Sequence, residues 1–235
     1  MKICIISNLY PPYVRGGAER VAELMAHGLA KRGHEIIIIS TQPEAGLRVE
    51  TIEGIKIYRF RPLIFFYYID DYKHNILIRL LWRIWDVFNR HNFLMVYRLL
   101  KRENPELVIT HNLAGLGYLV PLAIKKIRIK HIHVLHDVQL AVPSGLLIKN
   151  QEGNFLANGF MTRAYRHICR GLFGSIDIVI SPSKWLLEYY GGYKFFEKAK
   201  KYILRNPLKN GTYETEVKNG KKNVFLYVGQ IESHK

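Results

Sequence analysis

Cysteine is scarce in this sequence. Only Cys4 and Cys169 occur, which excludes a disulfide scaffold and sets a reducing compartment as the expectation. Long hydrophobic runs are missing too. No uninterrupted apolar stretch reaches the roughly 18 residues that a simple membrane-spanning helix needs. The apolar run from Ile3 is broken by Asn8 and Pro11, too early for the core of a signal peptide. The expected location is therefore the cytoplasm. Acidic residues are few: 19 Asp and Glu stand against 35 Lys and Arg, a net charge of +16. That balance favours polyanions such as phosphates or an anionic membrane surface. No repeat or low-complexity tract appears, and no G-x-x-x-x-G-K-[ST] or G-x-G-x-x-G loop, which removes support for an ordinary P-loop or dinucleotide fold.

What is present is a core-forming chain of 235 residues, 49% hydrophobic. Residues 3–6 are continuously apolar, as in a strand buried on both faces. The turn-rich segment 8–17 follows. Then a helix is expected from about Ala18 to Arg32, with Val21, Leu24, Met25 and Leu29 on one face and Gly33 as its stop. Ile36 to Ile39 make a second buried strand, completing a βαβ unit. Further short strands are expected at 55–60, 107–110, 132–135, 176–180 and 202–204, with helices near 114–127, 159–173 and 183–190. The fold class is α/β: a doubly wound, Rossmann-like parallel sheet with helices on both faces. Residues 209–223 read as a polar linker, and 224–228 as a strand that cannot fold alone. The expected division is a domain over 1–208, a linker over 209–223 and the start of a second domain over 224–235.

Gly16 and Gly17 stand between the first strand and its helix. Glycines there let backbone approach a ligand closely, and a helix N-terminus suits a phosphate; a tight turn is the plainer explanation. Three polar points follow strand ends: His111 with Asn112, His136 with Asp137, and Ser181 to Ser183. Strand C-termini line the ligand crevice of a parallel sheet, so His111 and His136 are expected to face one cleft. His131 and His133 share a strand face while His136 points away, which argues against a metal site.

These motifs in their order, YPPYVRGGAER, KRGHE, the HN and HD strand ends, SPSKW, RNP at 205–207 and VGQIESHK at 228–235, resemble retaining glycosyltransferases of family 4, which have the GT-B fold. The resemblance implies two Rossmann-like domains across a cleft, the first binding mainly acceptor and the second the nucleotide-diphosphate sugar donor. No metal cofactor is implied. By motif match, Gly16 and Gly17 would approach the donor diphosphate, His136 would lie near the transferred sugar, and Asp137 would shape that pocket. Ser183 and Asn206 match family positions. Lys235 matches a lysine that neutralises the diphosphate, while Gln230 stands where the family usually has arginine, so it brings hydrogen bonding without charge. The carboxylate motif of the family's second domain is not among these residues, and the 235 residues alone are expected to be nearly inactive.

Residues 58–102 are basic and aromatic. A helix from Ile76 to Arg90 would put Arg79, Arg83, Asp86 and Arg90 on one stripe and Leu77, Leu81, Trp85 and Phe88 on another. Such a helix suits an anionic membrane surface, with a lipid-linked or glycan acceptor; the plainer alternative is a core-packing helix with a solvated basic stripe. No nucleic-acid-binding motif accompanies the charge, and nucleic acid is not expected as a partner. Two functions compete: a sugar transferase of cell-envelope polysaccharide or glycolipid synthesis, and a non-catalytic module that binds a membrane or a partner protein.

Overall fold

The structure is a computed structural model and describes residues 1–145 and 158–208. The expected linker, the strand at 224–228, Gln230 and Lys235 lie outside the described residues.

Eight strands form one sheet in the order β3-β4-β2-β1-β5-β6-β7-β8. They are β1 (Lys2–Ile6), β2 (Glu35–Thr41), β3 (Leu47–Ile52), β4 (Ile55–Phe60), β5 (Leu107–Thr110), β6 (Lys130–Val134), β7 (Ile178–Ser181) and β8 (Lys200–Ile203). All pairings are parallel except β3 with β4. The isoleucine runs are explained by burial on both faces. Ile3, Ile5, Ile36 and Ile38 pack under α1 (Gly17–Ala30) through Ala22 and Ala26. Cys4, Ile6, Ile37 and Ile39 point the other way. That second layer is supplied by α3 (Arg90–Glu103), α4 (Val120–Ile127), α5 (Phe160–Leu172) and α6 (Lys184–Gly192). The doubly wound expectation holds.

Two elements escaped the sequence reading. Strand β3 has an exposed, polar-alternating face, and it joins β4 through Glu53 and Gly54 at φ of 50° and 78°. Two consecutive positive φ values make the two-residue hairpin turn whose sequence signal is a Gly at the second position. Helix α3 was also missed; Asn89 caps it by accepting the Asn92 N–H at 3.0 Å. The helix expected from Ile76 to Arg90 ends earlier, as α2 (Ile76–Val87), and the segment expected to be helical from residue 114 becomes helical only at Val120.

The orientation of α2 corrects a larger expectation. Of the expected polar stripe, Asp86, Arg83 and Arg79 turn toward the fold, and Arg90 stays exposed. Asp86 is buried, and its Oδ2 accepts the Gly115 N–H at 2.8 Å. Arg79 reaches Asp71 at 3.6 Å. Leu77, Leu81, Ile84, Trp85 and Phe88, on the apolar arc, are exposed instead. The reason is satisfaction of polar groups: the backbone N–H of Gly115 finds its partner in Asp86, and the carboxylate of Asp71, paired with Arg15, gains a second cation in Arg79. Trp82 and Val87 fill the seam between the two faces; the Trp82 indole donates to the Phe66 carbonyl at 3.0 Å and stacks on Phe66.

Gly115 is the tightest point of this docking. Its φ is +87°, and a Cβ there would lie 2.9 Å from Tyr68 Cβ. Gly115→Ala is expected to destabilise the fold by about 1–3 kcal/mol from the backbone conformation alone, plus the overlap with Tyr68. Urea unfolding measures it, and a change under about 0.5 kcal/mol, the range of an ordinary surface substitution, would contradict this account of the packing.

Candidate active site at the carboxyl edge of the sheet

The strand order reverses between β1 and β5, and the loops leaving these two strands diverge there. Asn8, fully buried, ties them together. Its amide N–H donates to the Asn112 carbonyl at 2.8 Å and its side-chain nitrogen to the Ala114 carbonyl at 2.8 Å. Its own carbonyl accepts the Thr41 N–H at 3.1 Å, which adds the end of β2. The loop from Asn8 to Gly16 is braced by Arg59 from β4. That buried guanidinium donates to the Tyr10 carbonyl at 2.9 Å and to the Pro11 carbonyl, and pairs with Glu50 at 2.7 Å.

Gly16 caps α1, and the Glu19 carboxylate reaches back to its N–H at 2.9 Å. Gly17 is the first residue of the helix. Neither has a positive φ, and a Cβ on Gly17 would meet nothing within 4 Å. The turn therefore does not require glycine at either position. Space lies open in front of Gly17, beside a helix N-terminus with unpaired N–H groups.

His111 leaves β5 and His136 follows β6. The structure brings them together: His111 Nδ1 lies 2.9 Å from His136 Nε2, and the rings are stacked with centroids 5.2 Å apart. One proton sits in that contact. Burial, and secondarily the neighbouring His136, holds His111 well below the ordinary histidine range, and burial pushes His136 down to about 4. Both are neutral near pH 7, so they act as hydrogen-bonding groups rather than cations. Asp137 is next to them; its Oδ1 accepts the Gln139 N–H at 2.8 Å, and burial raises its carboxyl. Asn112 joins through Gln139, whose side-chain nitrogen donates to Asn112 Oδ1 at 3.3 Å. These groups line a cavity of about 20 Å³, room for one water-sized molecule, so anything larger must bind on the open face above it.

Two expected residues stand apart. The Ser183 hydroxyl is occupied in capping α6, accepting the Leu186 N–H at 3.2 Å. Asn206 is exposed beyond β8, two strands away from β6. His131 and His133 do share a face, and the Thr110 hydroxyl bridges them, 2.7 Å from His131 Nε2 and 2.8 Å from His133 Nδ1. Among the described residues no three His, Cys, Asp or Glu side chains converge on a point. Arg83 and Gln139 are neighbours of the site that the sequence did not indicate; the only signal was their sequence position, a polar face of α2 and a residue shortly after a strand end.

The family description Glycosyltransferase Family 4 matches residues 15–208, most of the chain and all of this edge except the segment from Asn8 to Val14. The chain belongs to glycosyltransferase family 4. Among curated proteins it is 25% identical over 211 residues to an uncharacterized 42.6 kDa protein in the cps region of Klebsiella pneumoniae, covering 89% of this chain and 56% of that one. It is 35% identical over 63 residues to an uncharacterized glycosyltransferase of Methanocaldococcus jannaschii, 27% of this chain and 16% of that one. The chain thus spans about half or less of the length of these curated relatives. Its fold matches that of sucrose-phosphate synthase from Thermosynechococcus elongatus, with a TM-score of 0.55 at 12% identity, over 87% of this chain and 47% of the other. A trehalose-6-phosphate synthase matches with a TM-score of 0.53 at 13% identity, over 89% and 50%. The architecture is that of the Rossmann-like sheet in GT-B enzymes.

The buried histidines have a consequence for this family member's acid stability. His111, His131, His133 and His136 are all held below the ordinary value, chiefly by burial. A depressed histidine gives stability that is complete above about pH 6.5, the unfolded value, and lost as pH falls. An opposing contribution comes from Asp86, raised by burial to about 7, and from Asp137, raised as well, since their neutral forms are favoured in the fold. Four histidines outweigh it, so unfolding takes up protons and the melting temperature falls between pH 7 and 4.5. Calorimetry across that range tests it; a flat profile would refute the assignment of neutral histidines.

Proposed function

We propose that this protein is the acceptor-side part of a retaining glycosyltransferase, moving a sugar from a nucleotide-diphosphate sugar to a glycan or lipid-linked acceptor. The observation that carries the reading is the pairing of His111 with His136 at the topological switch point, on the same sheet edge as an open Gly17 and the α1 N-terminus. A departing diphosphate needs N–H donors or cations in place as charge develops. Gly16 and Gly17 supply backbone approach and a helix dipole for it. His136 lies near the transferred sugar, and Asp137 shapes that pocket. His111 orients His136 by sharing its proton. Asn112 belongs to the acceptor cleft, with Ser183 and Asn206 at its margin. Lys235 and Gln230 act on the diphosphate from the start of the second domain. No metal takes part in this scheme. Membership of family 4 supports the reading, and so does the relative in a cps region, which points to polysaccharide synthesis.

In the complete enzyme, His136→Ala is expected to lower turnover more than it weakens donor binding. Gly17→Val is expected to weaken donor binding, because a branched side chain fills the open space. Release of nucleoside diphosphate with acceptor present measures both, with folding checked by thermal melts. Wild-type rates in both folded variants would overturn the site.

Among the described residues no helix is long and apolar enough to cross a membrane. We place the protein on the inner, anionic face of the membrane through α2. Its outward face is apolar, with Leu77 69% and Leu81 60% exposed and Phe65 beside Trp85, while exposed Arg61, Lys73 and Arg90 flank it in sequence. A contiguous exposed apolar face marks an interaction surface, and flanking cations favour acidic lipid. Vesicle co-sedimentation tests this. Anionic vesicles should bind more tightly than neutral ones, salt should weaken binding, and Leu81→Glu should reduce it about tenfold or more while leaving the melting temperature near wild type. Equal binding by wild type and variant would exclude α2 as the contact.

A further inference from the structure

The inward face of α2 does something that neither its packing nor the reading above explains. Asp86 anchors it to Gly115, and Arg79 meets Asp71, which Arg15 also pairs with at 2.8 Å. Arg83 lies between these two anchors on the same face. It is partly buried, its guanidinium rests over the Trp82 ring at 5.1 Å, and it forms no ion pair among the described residues. Its hydrogen-bond partner is a neutral amide: Gln139 Oε1, 2.6 Å from Nη2 and 3.3 Å from Nη1, with the Gln139 amide oriented by its partners. Gln139 in turn touches Asn112 and lines the cavity of His111 and His136. A guanidinium has five donors and suffers when buried without an anion. Most of this fork is unused.

The surroundings add charge of the same sign. Arg15 donates to the Tyr68 carbonyl at 3.1 Å and lies over the Tyr68 ring at 4.8 Å, and the Tyr68 hydroxyl feels both Arg15 and Arg83. Two arginines, Arg15 and Arg83, thus act on Tyr68, a third, Arg79, shares Asp71 with Arg15, and among the described residues Asp71 is the one carboxylate within ion-pair reach of any of the three. Asp86 and Asp137 act on Arg83 only from beyond 4 Å, and burial raises the carboxyl of each.

We propose that Arg83, flanked by Arg15 and Arg79, is a subsite for a phosphate group carried by the acceptor. The planar fork of arginine matches two phosphate oxygens, which a point charge does not. The subsite rests on the glycosyltransferase reading above, since the phosphate belongs to an acceptor only if transfer occurs. One helix then serves two ends of one molecule: its outward side chains meet lipid, and Arg83 meets the phosphate at the polar boundary, beside the histidine pair. The shared chemistry is the phosphate; a lipid phosphate and a soluble sugar phosphate are its two sources.

The test is calorimetric titration with inorganic phosphate of the protein and its variants. Arg83→Gln is expected to weaken binding about tenfold or more, the worth of charged hydrogen bonds, with Arg83→Lys in between. Gly17→Val, which alters only the donor loop, should leave the Arg83-dependent part of the phosphate affinity unchanged. Unchanged affinity in Arg83→Gln overturns the proposal. Loss in Gly17→Val alone puts the anion at the donor loop, which overturns the subsite and leaves the glycosyltransferase reading intact. Conversely, an Arg83-dependent phosphate site in a complete enzyme that releases no nucleoside diphosphate from any donor sinks the glycosyltransferase reading, and the acceptor assignment with it. If Arg83→Gln does not fold, the Arg83 Nε resonance of the unaltered protein must shift on phosphate addition, and a resonance that stays put refutes the site. Phosphatidylcholine vesicles with and without phosphatidic acid, set against glucose 1-phosphate, identify the source: an Arg83-dependent gain with phosphatidic acid supports a lipid phosphate, and an Arg83-dependent affinity for the soluble ester alone supports a sugar phosphate.

Discussion

Everything at the candidate site depends on the knot made by Asn8. A parallel sheet must send its chain away from the strand ends, and at the reversal of strand order two loops part and leave a crevice. A crevice is useful only if its walls are stiff. Asn8 provides that by bonding to the end of β2 and to the loop after β5 at once. Arg59 adds a second brace, on the segment that leads to Gly16. His111 stands directly beside this knot, with its backbone N–H on the Ile6 carbonyl at 2.9 Å. Its ring position, and so that of His136, is set by main-chain geometry rather than by side-chain packing alone.

Burial then decides what those rings can do. An imidazole removed from water loses the charged state first. The two histidines are held neutral within a chain whose net charge is +16. The positive charge is carried instead by arginines on the rim, which stay charged whatever their burial. The edge therefore holds neutral hydrogen-bonding groups inside and cationic groups outside.

Helix α2 has the opposite arrangement to an ordinary amphipathic helix on a globular domain. Its polar stripe turns inward because Gly115, Gln139 and Asp71 offer it partners. The cost is a band of exposed leucine, isoleucine and tryptophan. A contiguous exposed apolar face of this kind marks an interaction surface, which is why the membrane contact proposed above falls on α2.

Much of this was legible in the residues. Continuous apolar runs at 3–6 and 36–39, all isoleucine but for Cys4, read as strands covered on both faces, so the doubly wound sheet followed from local pattern. Polar residues placed after apolar runs identified His111 and His136, because a parallel sheet collects its strand ends at one edge. Local pattern missed β3, whose side chains alternate without burying a face, and did not show that the Ser183 hydroxyl serves a helix end. The tertiary structure alone decided which way α2 turns. Periodicity reports that a helix has two faces, and the choice between them depends on the polar groups waiting where it docks. For Arg83 that group is Gln139, distant in sequence and brought near only when α2 packs across the end of the sheet.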